Sequence, residues 1–260
     1  MKMIKDFVSI DLETTGLLPK EDRIIEIAAV RFRDGKETDV YHRYLNPGRV
    51  IPERITELTG ITNEMVECAP QFQDVCEEVL EFIGEDVLMA HHISFDFAFL
   101  KRSVLNSMST KWMKANGFEK KGIDTLKIAR TFLTGLESRS LGALCSYYGI
   151  PLDAHRAEED ARATALLYQK LWEEFGDVKD EAASKNKIFQ PYQLIYKIKK
   201  EGPATKAQKE RLYRILEQHK IVPEYNVECL TKNEASRYLD RILSPFSARA
   251  LAIDLFILPL

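Results

Sequence analysis

Asp11 and Glu13 stand two residues apart at the end of an alternating apolar stretch, Phe7-Val8-Ser9-Ile10-Asp11-Leu12. A strand repeats every two residues, so both carboxylates leave it on the same face. Two acids that close repel, and one must hold a proton unless cations join them. Thr14-Thr15-Gly16 follows, and its glycine allows backbone to approach a ligand closely. A third acid, Asp96, lies in His91-His92-Ile93-Ser94-Phe95-Asp96-Phe97-Ala98-Phe99-Leu100. A carboxylate left unpaired among those aromatics would cost several kcal/mol. A helix cap is its plain reading, with Ser94 competing for that position. The fourth acid, Asp160, follows His155 by five residues in His155-Arg156-Ala157-Glu158-Glu159-Asp160. Five helical residues turn a side chain by about 140°. The two therefore face one site only if His155 precedes the helix, after the loop-forming Gly149-Ile150-Pro151, and Asp160 sits in its first turns. Taken singly, these are a strand end, a helix cap and a surface histidine. Taken together, four carboxylates without a nearby cysteine suit Mg²⁺ or Mn²⁺ rather than zinc. Two such ions about 4 Å apart stabilise both the attacking and the leaving oxygen of a phosphoryl transfer. Water would be the attacker, and His155 titrates in the range that suits its general base.

The elements that must position these groups follow from periodicity. Residues 5–12, 24–32 and 40–45 read as three strands at short spacing, an antiparallel meander. Residues 69–83 have the helical pattern, with Phe72, Val75, Val79, Leu80 and Ile83 on one face. Val87-Leu88-Met89-Ala90 is a short buried strand, residues 95–105 a helix, and Gly122-Ile123-Asp124-Thr125 a strand end before another helix. Residues 141–148 and 157–175 complete the pattern as helices. Strands that first pair among themselves and then alternate with helices predict an α/β fold, a mixed sheet flanked by helices. This first domain is expected over residues 1–176. A basic linker over 177–201 and a small helical module over 202–260 follow, the module's helices near 205–220 and 232–243, with Thr205 as a cap.

Composition narrows the class. The 260-residue chain is 45% hydrophobic with a formal charge of −3. Between Lys185 and Lys220 there are ten Lys or Arg against three Glu, a local charge of +7, so residues 1–184 are acidic. An acidic front suits a carboxylate metal site, and a basic segment behind it suits a phosphate backbone, although a solvated face gives the same pattern. Cys68, Cys76, Cys145 and Cys229 are scattered, which implies neither zinc nor a disulfide framework. No stretch has the roughly 20 apolar residues of a membrane span, and Met1–Asp6 lacks a signal peptide's apolar core. A cytoplasmic protein without membrane association is expected.

In order and content, the motifs Phe7–Leu17 with Arg23-Ile24-Ile25-Glu26-Ile27, His91–Leu100 and His155–Thr164 resemble the DEDDh branch of the DEDD exonuclease superfamily. That branch includes the proofreading epsilon subunits of bacterial DNA polymerase III. Asp124-Thr125-Leu126 and Leu141–Ile150 also sit where that family has them, so the resemblance spans roughly residues 5–175. It implies a ribonuclease-H-like fold and metal-dependent 3′→5′ hydrolysis of DNA, or of RNA, to nucleoside 5′-monophosphates. It implies that Asp11, Glu13 and Asp160 hold one of two Mg²⁺ or Mn²⁺ ions, Asp11 also the other, that Asp96 acts through waters, and that His155 is the base. The backbone from Leu12 to Thr15, including Thr14, and the Leu17 side chain would seat the terminal nucleotide. His91, Phe95 and Phe99 would line its pocket, the two phenylalanines being equally readable as core. One departure is His91-His92, where the family usually has His-Asn. The expected partner is a DNA 3′ end, single-stranded, with RNA open, and a polymerase or sliding clamp is a further candidate. Residues 250–256 faintly resemble a clamp-docking peptide without its leading glutamine. The alternatives are an RNA-trimming enzyme and a non-catalytic nucleic-acid-binding accessory protein.

Overall fold

The computed structural model describes residues 2–108, 118–152, 156–176, 187–196, 203–223, 226–230 and 232–243. Contacts divide the chain into two units, Met1–Tyr196 and Lys197–Leu260.

The first unit opens with the expected meander: β1 (Phe7–Thr14), β2 (Ile24–Arg33) and β3 (Lys36–Tyr44), paired antiparallel. β3 begins at Lys36 rather than near Val40. The two residues joining it to β2, Asp34 and Gly35, both have positive φ, 49° and 76°, the conformation of the tight hairpin turn that Asp-Gly favours. Its first residues, Lys36-Glu37-Thr38-Asp39, are exposed and polar, so no apolar alternation marked them. β4 (Leu88–Ala90) then pairs parallel to β1, and β5 (Lys121–Asp124) parallel to β4. With β6 (Tyr192–Gln193) antiparallel to β5, the sheet order is β3-β2-β1-β4-β5-β6. The sheet is mixed, as expected, and the architecture is ribonuclease-H-like.

Helices cover both faces. α3 (Phe72–Ile83) and α4 (Ile93–Ser107) pack on Val8, Ile10 and Leu12 of β1, while α5 (Thr125–Phe132), α6 (Leu141–Tyr148) and α7 (Ala157–Phe175) pack on Phe7, Val30 and Phe32. Alternation along β1 thus sends Val8, Ile10 and Leu12 to one layer and Phe7, Ser9, Asp11 and Glu13 to the other. α3 starts three residues later than its periodicity suggests, because Gln71 and Asp74 form a reciprocal cap there. Two short helices, α1 (Glu53–Thr59) and α2 (Asn63–Val66), were not foreseen. They are too short to show a period, and they enclose a separate cluster of Ile25, Ile51, Ile55, Ile61 and Val66.

Part of the stretch read as a linker belongs to the first unit. Phe189 is fully buried beside Phe132, Tyr168 and Trp172. Leu194 lies over Gly122 so closely that a Cβ there would come within 2.8 Å of it. The apolar pair Ile188-Phe189, set among lysines, carries this docking, and the local basic charge masked it.

The second unit contains α8 (Lys206–Gln218) and α9 (Lys232–Leu243). Thr205 caps α8, with Gln208 reciprocating. Leu212, Ile215 and Leu216 of α8 pack with Ala235 and Leu239 of α9. Residues 250–256 lie outside the described residues. Among the described residues no helix is long and apolar enough to cross a membrane, and Cys68, Cys76 and Cys145 are free thiols.

Phe189→Ala should lower stability by about 3–5 kcal/mol, as for other large core truncations, read by chemical denaturation of the full chain. An unchanged midpoint would mean that residues 187–196 do not hold the sheet edge.

Candidate active site

Three strand ends converge at the site. Asp11 and Glu13 close β1, the turn His91-His92 follows β4, and Asp124 closes β5. These three strands are parallel, so their C-terminal ends meet at one edge, where α/β sheets usually place their ligands.

α7 supplies Asp160 three residues into the helix, and its N-cap is Arg156. It is fastened to β1 by the Ser9 hydroxyl, which donates to the Ala161 carbonyl at 2.7 Å. Oxygens of Asp11, Glu13 and Asp160 consequently lie within 4.8 Å of one another. Asp96 comes from the start of α4, so it does not cap that helix. The preceding residue is His92, whose φ of 82° is left-handed, a conformation that costs a non-glycine residue about 1–3 kcal/mol. The Asp124 carboxylate holds this turn, accepting the amides of His92 at 3.3 Å and of Lys127 at 3.1 Å. All four acids border a cleft of about 350 Å³, within the range that accommodates small ligands.

The cluster is electrostatically unfavourable by itself. Burial, and then the charges of Asp96, Asp160 and Glu13, push the Asp11 carboxyl well above the usual range. Burial pushes Glu13 up to about 7, with Asp160 and Glu26 adding to the effect. Asp96 is pushed up to about 8, mainly by burial, although its own amide and that of Leu12 draw it back down. An all-oxygen donor set of packed, mutually repelling carboxylates fits a hard divalent cation, which would favour the ionised form of each.

Of the other residues singled out, Leu12, His91 and Phe95 line the cleft. Both ring nitrogens of His91 are engaged, Nδ1 with the Thr125 hydroxyl and Nε2 with the Arg139 carbonyl, each at 2.9 Å. A carbonyl can only accept, so Nε2 donates to Arg139 and carries a proton. Burial lowers the pKa of this imidazole. Phe99 does not reach the cleft. It is buried in the core against Phe95, ring centroids 4.9 Å apart, because the helical turn carries it behind its neighbour. Thr14 donates to the Gly16 carbonyl at 2.6 Å and Thr15 to Asp22 at 3.3 Å, so both hydroxyls serve the loop. Gly16 leaves room for the Asp22 carboxylate, 2.5 Å from where a Cβ would be. Leu17 is 77% exposed. His155 lies outside the described residues. His92, Ser140, Leu141, Gly142 and Leu152 also line the cleft and were not singled out as contacts. His92 was noted only as a departure and Leu141 and Gly142 only as part of the run 141–150, while Ser140 and Leu152 carried no mark in the sequence.

Residues 8–168 match the RNase T family, described as Exonuclease. The chain belongs to that exonuclease family. It is 37% identical over 169 residues to the DNA polymerase III subunit epsilon of Aquifex aeolicus, covering 65% of this chain and 81% of that protein. It is 39% identical over 168 residues to the PolC-type DNA polymerase III of Thermotoga petrophila, covering 64% of this chain but 12% of that protein. This exonuclease therefore spans about an eighth of the PolC-type relatives it matches. Exonuclease X in complex with 5′-overhanging duplex DNA superposes with a TM-score of 0.51 at 27% identity, over 71% of this chain and 99% of that one. The nuclease domain of 3′hExo, a DEDDh family member bound to rAMP, superposes with a TM-score of 0.54 at 22% identity, over 65% and 92%, and shows the shared fold.

Because Glu13 and Asp96 bind protons more tightly folded than unfolded, the metal-free exonuclease holds protons from about pH 4 to 8 that the unfolded chain has released. Its stability should fall as pH rises through that window. Asp11→Asn should raise the metal-free Tm at pH 8 by ~2–4 °C for each kcal/mol of repulsion relieved. Mn²⁺ should raise the wild-type Tm more at pH 8 than at pH 5.5, and less in Asp11→Asn. Scanning calorimetry with chelator and with Mn²⁺ reads all three.

Proposed function

We propose that this exonuclease removes nucleotides from the 3′ end of a DNA strand, releasing nucleoside 5′-monophosphates, with two Mg²⁺ or Mn²⁺ ions. The observation that carries the reading is the meeting of Asp11, Glu13 and Asp160 within 4.8 Å, with Asp96 in the same cleft. Asp11, Glu13 and Asp160 would hold one ion, Asp11 would also serve the second, and Asp96 would contribute through water. The bound ions would polarise the scissile phosphate and offset the charge that develops on the attacking and leaving oxygens.

The chain's own residues do the rest. Leu12 and Phe95 offer apolar surface to the terminal nucleotide, and His91, held by Thr125 and Arg139, closes the cleft beside them. Leu17, exposed beyond the strand end, would help seat the terminal nucleotide. His155 takes the proton from the attacking water. Similarity to the epsilon subunit supports work in proofreading or repair in the cytoplasm, with a polymerase as partner. We assign the first 176 residues, with the strap to Tyr196, to catalysis and the rest to an accessory module. In that module Arg211 and Arg214 are exposed on α8, and we assign it to holding the strand backbone.

A 5′-labelled single-stranded DNA should shorten to a ladder from its 3′ end with Mg²⁺ or Mn²⁺ and stay intact with chelator. Asp11→Ala should reduce the rate by ~10³-fold, about 4 kcal/mol of barrier. The same assay on RNA settles sugar preference, and loss of label from the 5′ end would refute the polarity. Removing residues 197–260 should weaken binding of long oligomers and flatten its dependence on log salt concentration, measured by anisotropy. An identical slope would remove the module from strand binding.

A further inference from the structure

Glu26 lies on β2 directly across from Glu13 and is 1% exposed. A buried carboxylate without partners is costly, so its partners define its task. One oxygen, Oε1, is 2.7 Å from Nε2 of His42 on β3. The other, Oε2, accepts the amide of Ala157, the first residue of α7, at a long 3.5 Å. α7 receives no capping bond from the side chain of its own N-cap residue, Arg156. Its first amides need acceptors, and a negative group there also offsets the helix dipole. Glu26 supplies both from 131 residues away in sequence.

The contact continues beyond His42. Its Nδ1 is 4.0 Å from Glu158 in the first turn of α7. Glu158 accepts from Arg162 at 2.6 Å, and Arg162 forks onto Glu37 of β3 at 2.9 and 3.0 Å. A chain of hydrogen bonds and ion pairs therefore runs from behind Glu13 to the outer strand, tying β2 and β3 to the turn of α7 that ends in Asp160.

We propose that Glu26 and His42 are positioning residues, a buried carboxylate–imidazole clasp that sets the start of α7, and through it Asp160, at cation-binding distance from Asp11 and Glu13. The clasp rests on the reading of Asp160 as a cation ligand. Neither Glu26 nor His42 lines the cleft. Both act through the helix, as outer hydrogen-bond partners of metal ligands do, where substitution typically costs 10–100-fold in affinity or activity.

The test uses full-length protein, with Mn²⁺ affinity by calorimetry, Tm, and kcat and KM on a DNA oligomer. Glu26→Gln, which removes the charge without changing shape, should weaken Mn²⁺ binding and lower kcat by ~10-fold or more, leaving KM and the metal-free Tm close to wild type. His42→Leu should do the same, and His42→Gln, which retains a donor for Glu26, should recover most of the loss. Wild-type Mn²⁺ affinity and kcat in Glu26→Gln and His42→Leu would overturn the clasp. So would losses that merely track the folded fraction. If wild-type protein binds Mn²⁺ but cuts no 3′ end, the proposed function fails, while weakened Mn²⁺ binding in Glu26→Gln would still support the clasp.

Discussion

Like-charge repulsion among buried acids is the constraint on which this site depends. Asp11, Glu13, Asp96 and Asp160 cannot all ionise at one end of a sheet without compensation, and the surrounding structure is largely the means of holding them there. The Ser9 bond to α7 and the Asp124 brace on the His92 turn both fasten elements that carry these acids. Neither Ser9 nor Asp124 lines the cleft, yet each helps set where a carboxylate stands. The N-terminal end of α7, with its partial positive charge, faces this acidic cluster and offsets a fraction of the repulsion.

The sheet makes this arrangement possible. A meander alone would place strand ends alternately at opposite edges. The two parallel additions, β4 and β5, bring three C-terminal ends to one edge and leave the loops beyond them to build the cleft wall. Helices on both faces bury the sheet's apolar sides, and that rigidity keeps Asp11, Glu13 and Asp160 within 4.8 Å of one another, with Asp96 on the same cleft. The strap from Lys187 to Tyr196 extends the same sheet, so stability of the catalytic unit reaches past the motif-bearing residues.

Family membership is consistent with this division of labour. The exonuclease family match, residues 8–168, falls within the first unit. The second unit has its own small core and its own capped helix. The acids that border the cleft all lie in the first unit.

Much was legible in the sequence. Alternation around Asp11 and Glu13, and the order of the three motifs, specified the acids, the mixed sheet and the helices beside it, because strand and helix periods are local properties. Residues 36–39 carry no apolar alternation, so β3 was read short until the Asp34-Gly35 turn set its start. Phe99 and Phe95 look alike in sequence, and only packing sends one to the core and the other to the cleft. Gly16 reads as a close-approach glycine, and only packing brings the Asp22 carboxylate against it. The link from Glu26 to Ala157 joins residues 131 apart. Such pairings rest on how layers stack and which face each element turns inward. Local pattern determined the identity of the chemical groups, and long-range packing alone decided the distances between them and the partners that hold them.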